Sequence, residues 1–160
     1  MEVRLSASQP EHRAALEGLQ LAPGQAEFTA HPADLLPEVS GQPRRLPVTI
    51  LADDEPVGLF VLSVGEHRDQ YLPAGQTDPN GVALGALSVD ARWQKKGVGT
   101  EALRRLPDFV PAHFPEARHV LLVVNQRNPG ARRVYERAGF SVVRERLGRK
   151  GLQWVMTRSL

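Results

Sequence analysis

The segment that most constrains this chain joins an apolar run to a helical pattern through two closely spaced glycines. Residues 82–89 are apolar and predict a strand, while Val98, Ala102 and Leu103 recur at helical spacing. Residues 94–100, with the sequence QKKGVGT, lie between them. Backbone amides at the start of a helix bind phosphate oxygens, and glycines let a ligand approach them closely. The segment therefore predicts a phosphate-binding turn; the alternative is a tight turn flanked by solvated lysines.

Two other phosphate-binding patterns fit this segment less well. A Walker A loop needs a lysine directly after its last glycine, but Thr100 follows Gly99. The run from Gly97 to Ala102 satisfies the dinucleotide pattern G-x-G-x-x-A, yet that fold needs an acidic residue at the end of the next strand to bind a ribose. The next apolar run ends at Asn125 instead. The Walker A pattern therefore fails, and the dinucleotide-binding pattern is the less favoured interpretation of the segment.

Apolar runs elsewhere predict a mixed α/β fold. Two runs, 48–52 and 57–64, flank a polar turn and predict a β-hairpin. Residues 119–124 predict a buried strand with a helical pattern on each side, and residues 140–143 with 152–156 predict a closing hairpin. The expected fold has antiparallel N-terminal strands, then a β-α-β-α-β order that ends in the closing hairpin.

A second motif starts the helix that follows residues 119–124. Asn128 before Pro129 is typical of an N-cap with a proline in the first turn, and Gly139 marks the end of the helix. The spacing N-x-x-A-x-x-x-Y-x-x-x-G-F places Tyr135 on the apolar face of this helix. One interpretation of Tyr135 is therefore a buried core tyrosine.

Both motifs resemble those of the GCN5-related N-acetyltransferase (GNAT) family. The run QKKGVG at residues 94–99 resembles that family's pyrophosphate loop, (R/Q)-x-x-G-x-(G/A), and the motif from Asn128 to Phe140 resembles its second cofactor motif. The resemblance covers residues 48–145, with the elements in the expected order. It implies a GNAT-like acyltransferase fold and an acetyl-CoA-dependent N-acetyltransferase, which transfers an acetyl group directly to a primary amine of a small molecule or peptide.

The resemblance also implies which residues bind the co-substrate, acetyl-CoA. Amides of the glycine loop would bind the pyrophosphate, and residues 84–89 would part from the neighbouring strand and offer backbone groups to the pantetheine arm. Two asparagines would bond that arm or the entry of the next helix. The implied cofactor-binding residues are Leu87, Val89, Gln94, Lys95, Lys96, Gly97, Val98, Gly99, Thr100, Asn125 and Asn128. No metal is expected, because the five histidines lack the spacing of a metal site.

Tyr135 is the implied catalytic residue. Many family members place a phenol near the thioester sulfur at this position, so Tyr135 would protonate the leaving thiolate. A backbone amide of residues 87–89 would stabilise the oxyanion. The general base is less evident, because residues 82–89 contain no acidic side chain. A water chain is one candidate, and the distant side chains that remain are Asp53, Glu55, Glu66 and His67.

Composition narrows the remaining hypotheses. The chain has no cysteine, so it forms no disulfide and no acyl-cysteine intermediate, and direct transfer requires neither. A formal net charge of +2 gives no support for a nucleic-acid partner, and the apolar run 57–64 is too short for a membrane span. We expect a single cytoplasmic domain, residues 1–160, that is a monomer or homodimer. The missing carboxylate on the central strand keeps a second hypothesis open, a catalytically silent acyl-CoA-binding or sensor module.

The predicted acceptor follows from the distribution of charge. Residues 14–43 contain four acidic side chains, Glu17, Glu27, Asp34 and Glu38, and no lysine or arginine. Because the N-terminal helices usually wall the acceptor site in the GNAT family, this segment predicts a preference for cationic amines. The alternative is that these carboxylates only solubilise a proline-rich surface.

Overall fold

The computed structural model describes residues 1–160 and contains one seven-stranded sheet. The strands in chain order are β1 (Val3–Ala7), β2 (Arg45–Ala52), β3 (Glu55–Ser63), β4 (Gly81–Val89), β5 (His119–Asn125), β6 (Ser141–Gly148) and β7 (Gly151–Ser159). Their order across the sheet is β1-β2-β3-β4-β5-β7-β6, and only the β4–β5 pair is parallel. The predicted fold class, with antiparallel N-terminal strands and a closing hairpin, is confirmed.

Seven helices complete the fold. They are α1 (Arg13–Glu17), α2 (Pro23–Ala26), α3 (Pro32–Val39), α4 (Glu66–Asp69), α5 (Val98–Arg104), α6 (Leu106–His113) and α7 (Pro129–Arg137). Helices α5 and α7 start at the two positions expected from the motifs, directly after Gly97 and Asn128. No helix in this set has both the length and the apolar character needed to cross a membrane.

The predicted first hairpin is confirmed as β2 and β3, which are joined by a two-residue turn. Asp53 and Asp54 form the turn with φ angles of +48° and +67°, and Ala52 pairs with Glu55 across its base. Two central residues at positive φ are the mark of a type I′ turn, whose twist matches that of the paired strands. Aspartate tolerates this left-handed conformation better than most side chains, so the two acidic residues suit the turn.

The sheet separates two apolar clusters. On one face, Phe60 and Leu62 of β3 pack with buried residues of α5, α6 and α7. On the other face, Leu59 and Val61 of the same strand pack with Leu16 and with residues of α3. Because successive side chains of a strand point to opposite faces, one strand serves both layers. We call these two sides the α5–α7 face and the α1–α3 face.

Strands β4 and β5 part after a short paired stretch. Pairing runs only from Gly81–Ala83 on β4 to His119–Leu121 on β5. The β3–β4 register shifts between Leu59 and Val61, and Ala86 adopts a φ of +56°. A bulge of this kind bends its strand, so the second half of β4 leaves β5 and opens a gap in the sheet. The predicted separation of residues 84–89 is therefore present.

The closing hairpin is inserted into the sheet in an order that the sequence pattern does not predict. β7 pairs with the whole of β5, with Asn125 opposite Gln153, and β6 lies outside β7 at the edge. Val155 and Met156 of β7 are buried, whereas β6 alternates exposed and half-buried residues. The more polar strand thus takes the edge, where one side meets solvent.

Candidate active site

A cavity of about 1150 Å³ opens where β4 and β5 part. Its walls come from β4, the end of β5, the glycine loop, α7 and the β6–β7 hairpin, and residues 22–29 contribute Gln25 and Phe28. A cavity of this size that brings several elements together is the natural candidate for a ligand site.

Nearly all of the predicted site residues line this cavity. They are Leu87, Val89, Gln94, Lys95, Gly97, Val98, Gly99, Thr100, Asn125, Asn128 and Tyr135. Lys96 is the exception, since it is exposed and its Nζ lies 5.2 Å from the centroid of the Trp93 ring. Its neighbour Lys95, which does line the cavity, adopts a left-handed backbone conformation with a φ of +62°. The structure therefore gives no support to Lys96 as a ligand of the cavity.

The two loop glycines serve different purposes. Gly97 has a φ of +80°, a conformation that costs other residues about 1–2 kcal/mol, so the turn itself favours glycine there. At Gly99, a Cβ would lie 3.7 Å from Val134 Cγ1 and 3.9 Å from Val89 Cγ2, which are ordinary contacts. The packing of the protein therefore does not exclude a methyl group at Gly99, and the space beside it is open to a ligand.

Both predicted asparagines form hydrogen bonds within the protein. Asn128 Oδ1 accepts from the Ala131 N–H at 3.3 Å and so caps α7. Asn125 Oδ1 accepts from the Arg127 N–H at 2.8 Å, and its Nδ2 donates to the Lys150 carbonyl at 3.1 Å. These bonds shape the entry to α7 and hold it against the β6–β7 hairpin. Of the two roles expected for these side chains, bonding the pantetheine arm or bonding the helix entry, the structure shows the helix entry.

Gln25 satisfies the backbone of Val89, which the sequence predicts as a cofactor contact. The Val89 N–H donates to Gln25 Oε1 at 2.9 Å, and Gln25 Nε2 donates to the Val89 carbonyl at 3.0 Å. Gln94 Nε2 also donates to that carbonyl, at 3.1 Å. A carboxamide bonded in this way replaces the strand that β4 loses when it leaves β5. The Val89 amide is consequently bonded to a side chain of the protein in this structure.

Asp90 fixes the position of the chain directly after β4. Its side chain is buried and accepts hydrogen bonds from the Arg92 N–H, the Arg92 guanidinium and the Gln20 N–H, all within 3.1 Å. The bonds to Arg92, followed by those to the backbone and the attraction of the guanidinium, lower the pKa of Asp90 to about 2. Asp90 is therefore a fixed anion that positions the start of the glycine loop, and it is unsuited to act as a base at neutral pH.

Tyr135 is both a packed core residue and a residue of the cavity wall. It lines the cavity, yet only 9% of its surface is exposed, and its ring meets Phe140 edge to face at 5.9 Å between centroids. Burial raises the pKa of its phenol to about 12. The side chain is thus protonated at neutral pH and can act as a hydrogen-bond donor.

The predicted general bases lie outside the main cavity. Asp53 is in the β2–β3 turn, and neither Glu55 nor Glu66 lines the cavity. His67 also lies outside the main cavity, but it lines an adjoining cavity of about 120 Å³, which Tyr71 lines as well. No aspartate or glutamate lines either cavity.

The acidic wall predicted for residues 14–43 is not found. Glu27 pairs with Arg127 at 3.0 Å, and the partners of Glu17 and Glu38 are Arg13 and Arg45. Asp34 is exposed on α3. The segment does reach the cavity, but through Ala22, Gly24, Gln25, Phe28 and Thr29 rather than through carboxylates. Arg127, which is distant in the sequence, takes up the charge of Glu27, and arginines just outside the segment take up the charges of Glu17 and Glu38.

Several residues of the site escape prediction from the sequence. Gln25 lies 64 positions from Val89, and no local pattern signals their contact. Arg146 and Tyr71 approach each other through a contact between distant elements. Asp90 has a usable signal, because an aspartate directly after a strand and before a turn is typical of a side-chain cap.

A parted parallel strand pair, a glycine loop on one side and a buried tyrosine on the other define an acyl-transfer site of the kind that the two motifs imply. The sequence profile of the Acetyltransferase (GNAT) family matches residues 12–140, and the chain belongs to this family. The chain is 33% identical over 156 residues to YbbJ of Bacillus subtilis (strain 168), an uncharacterized N-acetyltransferase, covering 97% of this chain and 96% of YbbJ. It is therefore an N-acetyltransferase by family.

Solved structures share the fold. The aminoglycoside acetyltransferase AAC(6')-Ib in complex with coenzyme A and kanamycin is 24% identical, with a TM-score of 0.78 over 99% of this chain and 95% of that chain. A spermidine N-acetyltransferase from Vibrio cholerae in complex with coenzyme A and spermine is 16% identical, with a TM-score of 0.72 over 98% and 95% of the two chains. Proteins of this fold thus hold coenzyme A together with an amine.

The position of Asp90 predicts a specific loss of stability in acid. Its folded pKa of about 2 lies below the ordinary 3.8, so the stabilisation is complete above pH 4 and disappears as the pH falls toward 2. Asp90→Asn should lower the free energy of unfolding at pH 7 by about 2 kcal/mol and flatten its decline between pH 4 and 2. Urea unfolding at a series of pH values measures both; a variant with the parent's pH dependence would contradict the assignment.

Proposed function

We propose that this protein transfers an acetyl group from acetyl-CoA directly to the primary amine of a small molecule. The observation that carries the proposal is the cavity at the parted strands, which joins the glycine loop on the α5–α7 face to the α1–α3 face through the sheet. The open space beside Gly99 fits a ligand that approaches the loop amides. The amine-bound relatives of the same fold support an amine acceptor.

The co-substrate would be held by the loop and by β4. Backbone amides of residues 94–100 bind its pyrophosphate, with Lys95 adding positive charge at the cavity wall. The pantetheine arm takes the Val89 backbone groups that Gln25 now satisfies, and Leu87 borders the path toward the gap. Asn125 and Asn128 act indirectly, by fixing the entry of α7.

Acetyl-CoA supplies a thioester carbonyl when it is bound, and the protein's own groups then arrange the exchange. The acceptor nitrogen forms a bond to the carbonyl carbon, the carbon–sulfur bond breaks, the nitrogen loses one proton and the sulfur gains one. Tyr135, protonated because its pKa is about 12, donates toward the sulfur as negative charge develops there. No carboxylate lines the cavity, so the nitrogen's proton leaves through water or His67.

Replacing the Tyr135 hydroxyl tests its catalytic role. Tyr135→Phe should lower kcat by roughly 100-fold, the low end for general acid catalysis, and leave coenzyme A affinity unchanged. Thiol release at saturating acetyl-CoA gives kcat, and calorimetry gives the affinity. An unchanged kcat under conditions where chemistry limits the rate would leave Tyr135 with a packing role alone.

The glycine loop can be tested with a branched side chain. Because the loop pattern accepts alanine at position 99, the test is Gly99→Val, whose two further methyl groups would occupy the space beside the loop amides and should weaken coenzyme A binding roughly 10-fold or more through the loss of a charge-assisted hydrogen bond. Gly18→Val is the matched control, since a Cβ there would also meet only ordinary contacts, at 3.5 and 3.6 Å. Equal coenzyme A affinity in both folded variants, measured by calorimetry, would rule out the loop as the pyrophosphate site.

Gln25 should compete with the co-substrate for Val89. Because two hydrogen bonds must break before pantetheine can replace them, Gln25→Ala should tighten coenzyme A binding by roughly 5- to 30-fold. Gln42→Ala, which removes a glutamine bonded to the Glu38 carbonyl, is the control and should change nothing. Weaker binding in Gln25→Ala would mean that Gln25 contacts the co-substrate instead of giving way to it.

Acetyl transfer itself is tested by thiol release across an amine panel. Turnover with any primary amine, together with mass spectrometric detection of the acetylated product, supports the proposal. Tight binding of acetyl-CoA with no turnover of any amine would favour the silent acyl-CoA-binding module instead.

A further inference from the structure

The charged side chains that line the cavity all carry positive charge. They are Lys95, Arg137, Arg146, Arg149 and Lys150, and the adjoining small cavity adds Arg45. Neither cavity has an acidic lining residue. A lining of one positive sign repels a polycationic amine and offers it no carboxylate partner.

Three of these cations can be assigned to opposite sides of the sheet. Lys95 belongs to the glycine loop and Arg137 to α7, so both lie where the pyrophosphate is expected. Arg146 is opposite Gln153, which is opposite Asn125. Val124 packs on the α5–α7 face, and Asn125 follows it, so all three residues of this row lie on the α1–α3 face. Arg146 is thus on the acceptor side of the gap.

Arg146 is half-buried and lacks a carboxylate partner. Its guanidinium donates to Gln153 Oε1 at 2.5 Å and to the Gln70 carbonyl at 3.3 Å, and it lies 5.4 Å from the centroid of the Tyr71 ring. The buried Arg68, in contrast, pairs with Asp69 at 2.8 Å. A partly desolvated cation normally acquires an anion, and none in this protein serves Arg146.

Tyr71 adds a second group to the same corner. It lines both cavities, and burial raises the pKa of its phenol, while the nearby guanidinium groups of Arg146 and Arg45 oppose that rise. A protonated phenol beside the Arg146 guanidinium offers hydrogen-bond donors from two side chains. Such a set binds an oxyanion, and the planar fork of arginine matches a carboxylate in particular.

We propose that the acceptor is an amine that also carries a carboxylate, and that Arg146, with Tyr71, binds this carboxylate on the α1–α3 face. The inference rests on the proposed acetyl transfer and specifies its acceptor class. It replaces the cationic acceptor that the composition of residues 14–43 predicts.

The test uses amines in matched forms. 4-Aminobutanoate, 4-aminobutanamide and 1,4-diaminobutane differ only at the end distant from one amine, and the natural α-amino acids with their amides extend the comparison. We expect the carboxylate forms to have the highest kcat/KM. Arg146→Gln should reduce kcat/KM for them roughly 10- to 100-fold, as expected for loss of hydrogen bonds to a charged group, and leave the coenzyme A affinity unchanged.

Two further variants control the experiment. Arg4→Gln removes one positive charge from β1, where Arg4 forms an exposed ion pair with Asp54, and it should not change kcat/KM. Arg146→Lys keeps the charge without the fork and should lose less than Arg146→Gln, which separates recognition from any loss of folding. Melting temperatures of all variants are compared directly.

The outcomes separate this inference from the proposed function. If amides or diamines are acetylated as well as carboxylates, the acetyl transfer stands and the carboxylate site is wrong. A weaker coenzyme A affinity in Arg146→Gln would assign Arg146 to the co-substrate and also overturn the inference. If no amine is acetylated, the proposed function fails, and calorimetry on the coenzyme A complex decides: carboxylate amines must bind to the parent and not to Arg146→Gln.

Discussion

The separation of β4 from β5 is the constraint on which the rest of the site depends. Beyond Ala83 the two parallel strands no longer pair, so the β4 backbone would face the gap without partners. Buried backbone groups without hydrogen bonds are costly, and the protein must satisfy them by other means. Gln25 does so at Val89 with its own carboxamide. The gap that admits a ligand is thus maintained by a side chain that imitates the missing strand.

The same constraint links the two ends of the site. Gln25 and Gln20 attach the N-terminal segment to Val89 and Asp90, and Glu27 ties it to Arg127 beyond β5. If the pantetheine arm takes over the Val89 backbone as proposed, it releases the Gln25 attachment and leaves the other two. Co-substrate binding would then free residues 22–29 at one point, while Gln20 and Glu27 still hold the segment.

Prediction from the sequence succeeds where the determinants are local. The type I′ turn at Asp53, the glycine at 97 and the Asn128 cap each act within a few residues, so the β2–β3 hairpin and the starts of α5 and α7 can be read from the chain. The place of β7 between β5 and β6 depends on burial across the whole sheet. The contact of Arg146 with Gln70 spans 76 positions, and the pairing of Glu27 with Arg127 spans 100. Local charge counts miss such partners.

The cationic lining also bears on the missing general base. A carboxylate near the acceptor nitrogen would stabilise its ammonium form, whereas removal from water disfavours that form and lowers the pKa of the amine. An acceptor whose own carboxylate is paired with Arg146 would have its nitrogen in a cavity without acidic side chains, so no nearby anion would oppose this desolvation. More of the amine is then neutral at a given pH, and water can carry away the proton. The absence of an acidic residue on β4 and the positive charge of the cavity are, in this view, parts of one arrangement.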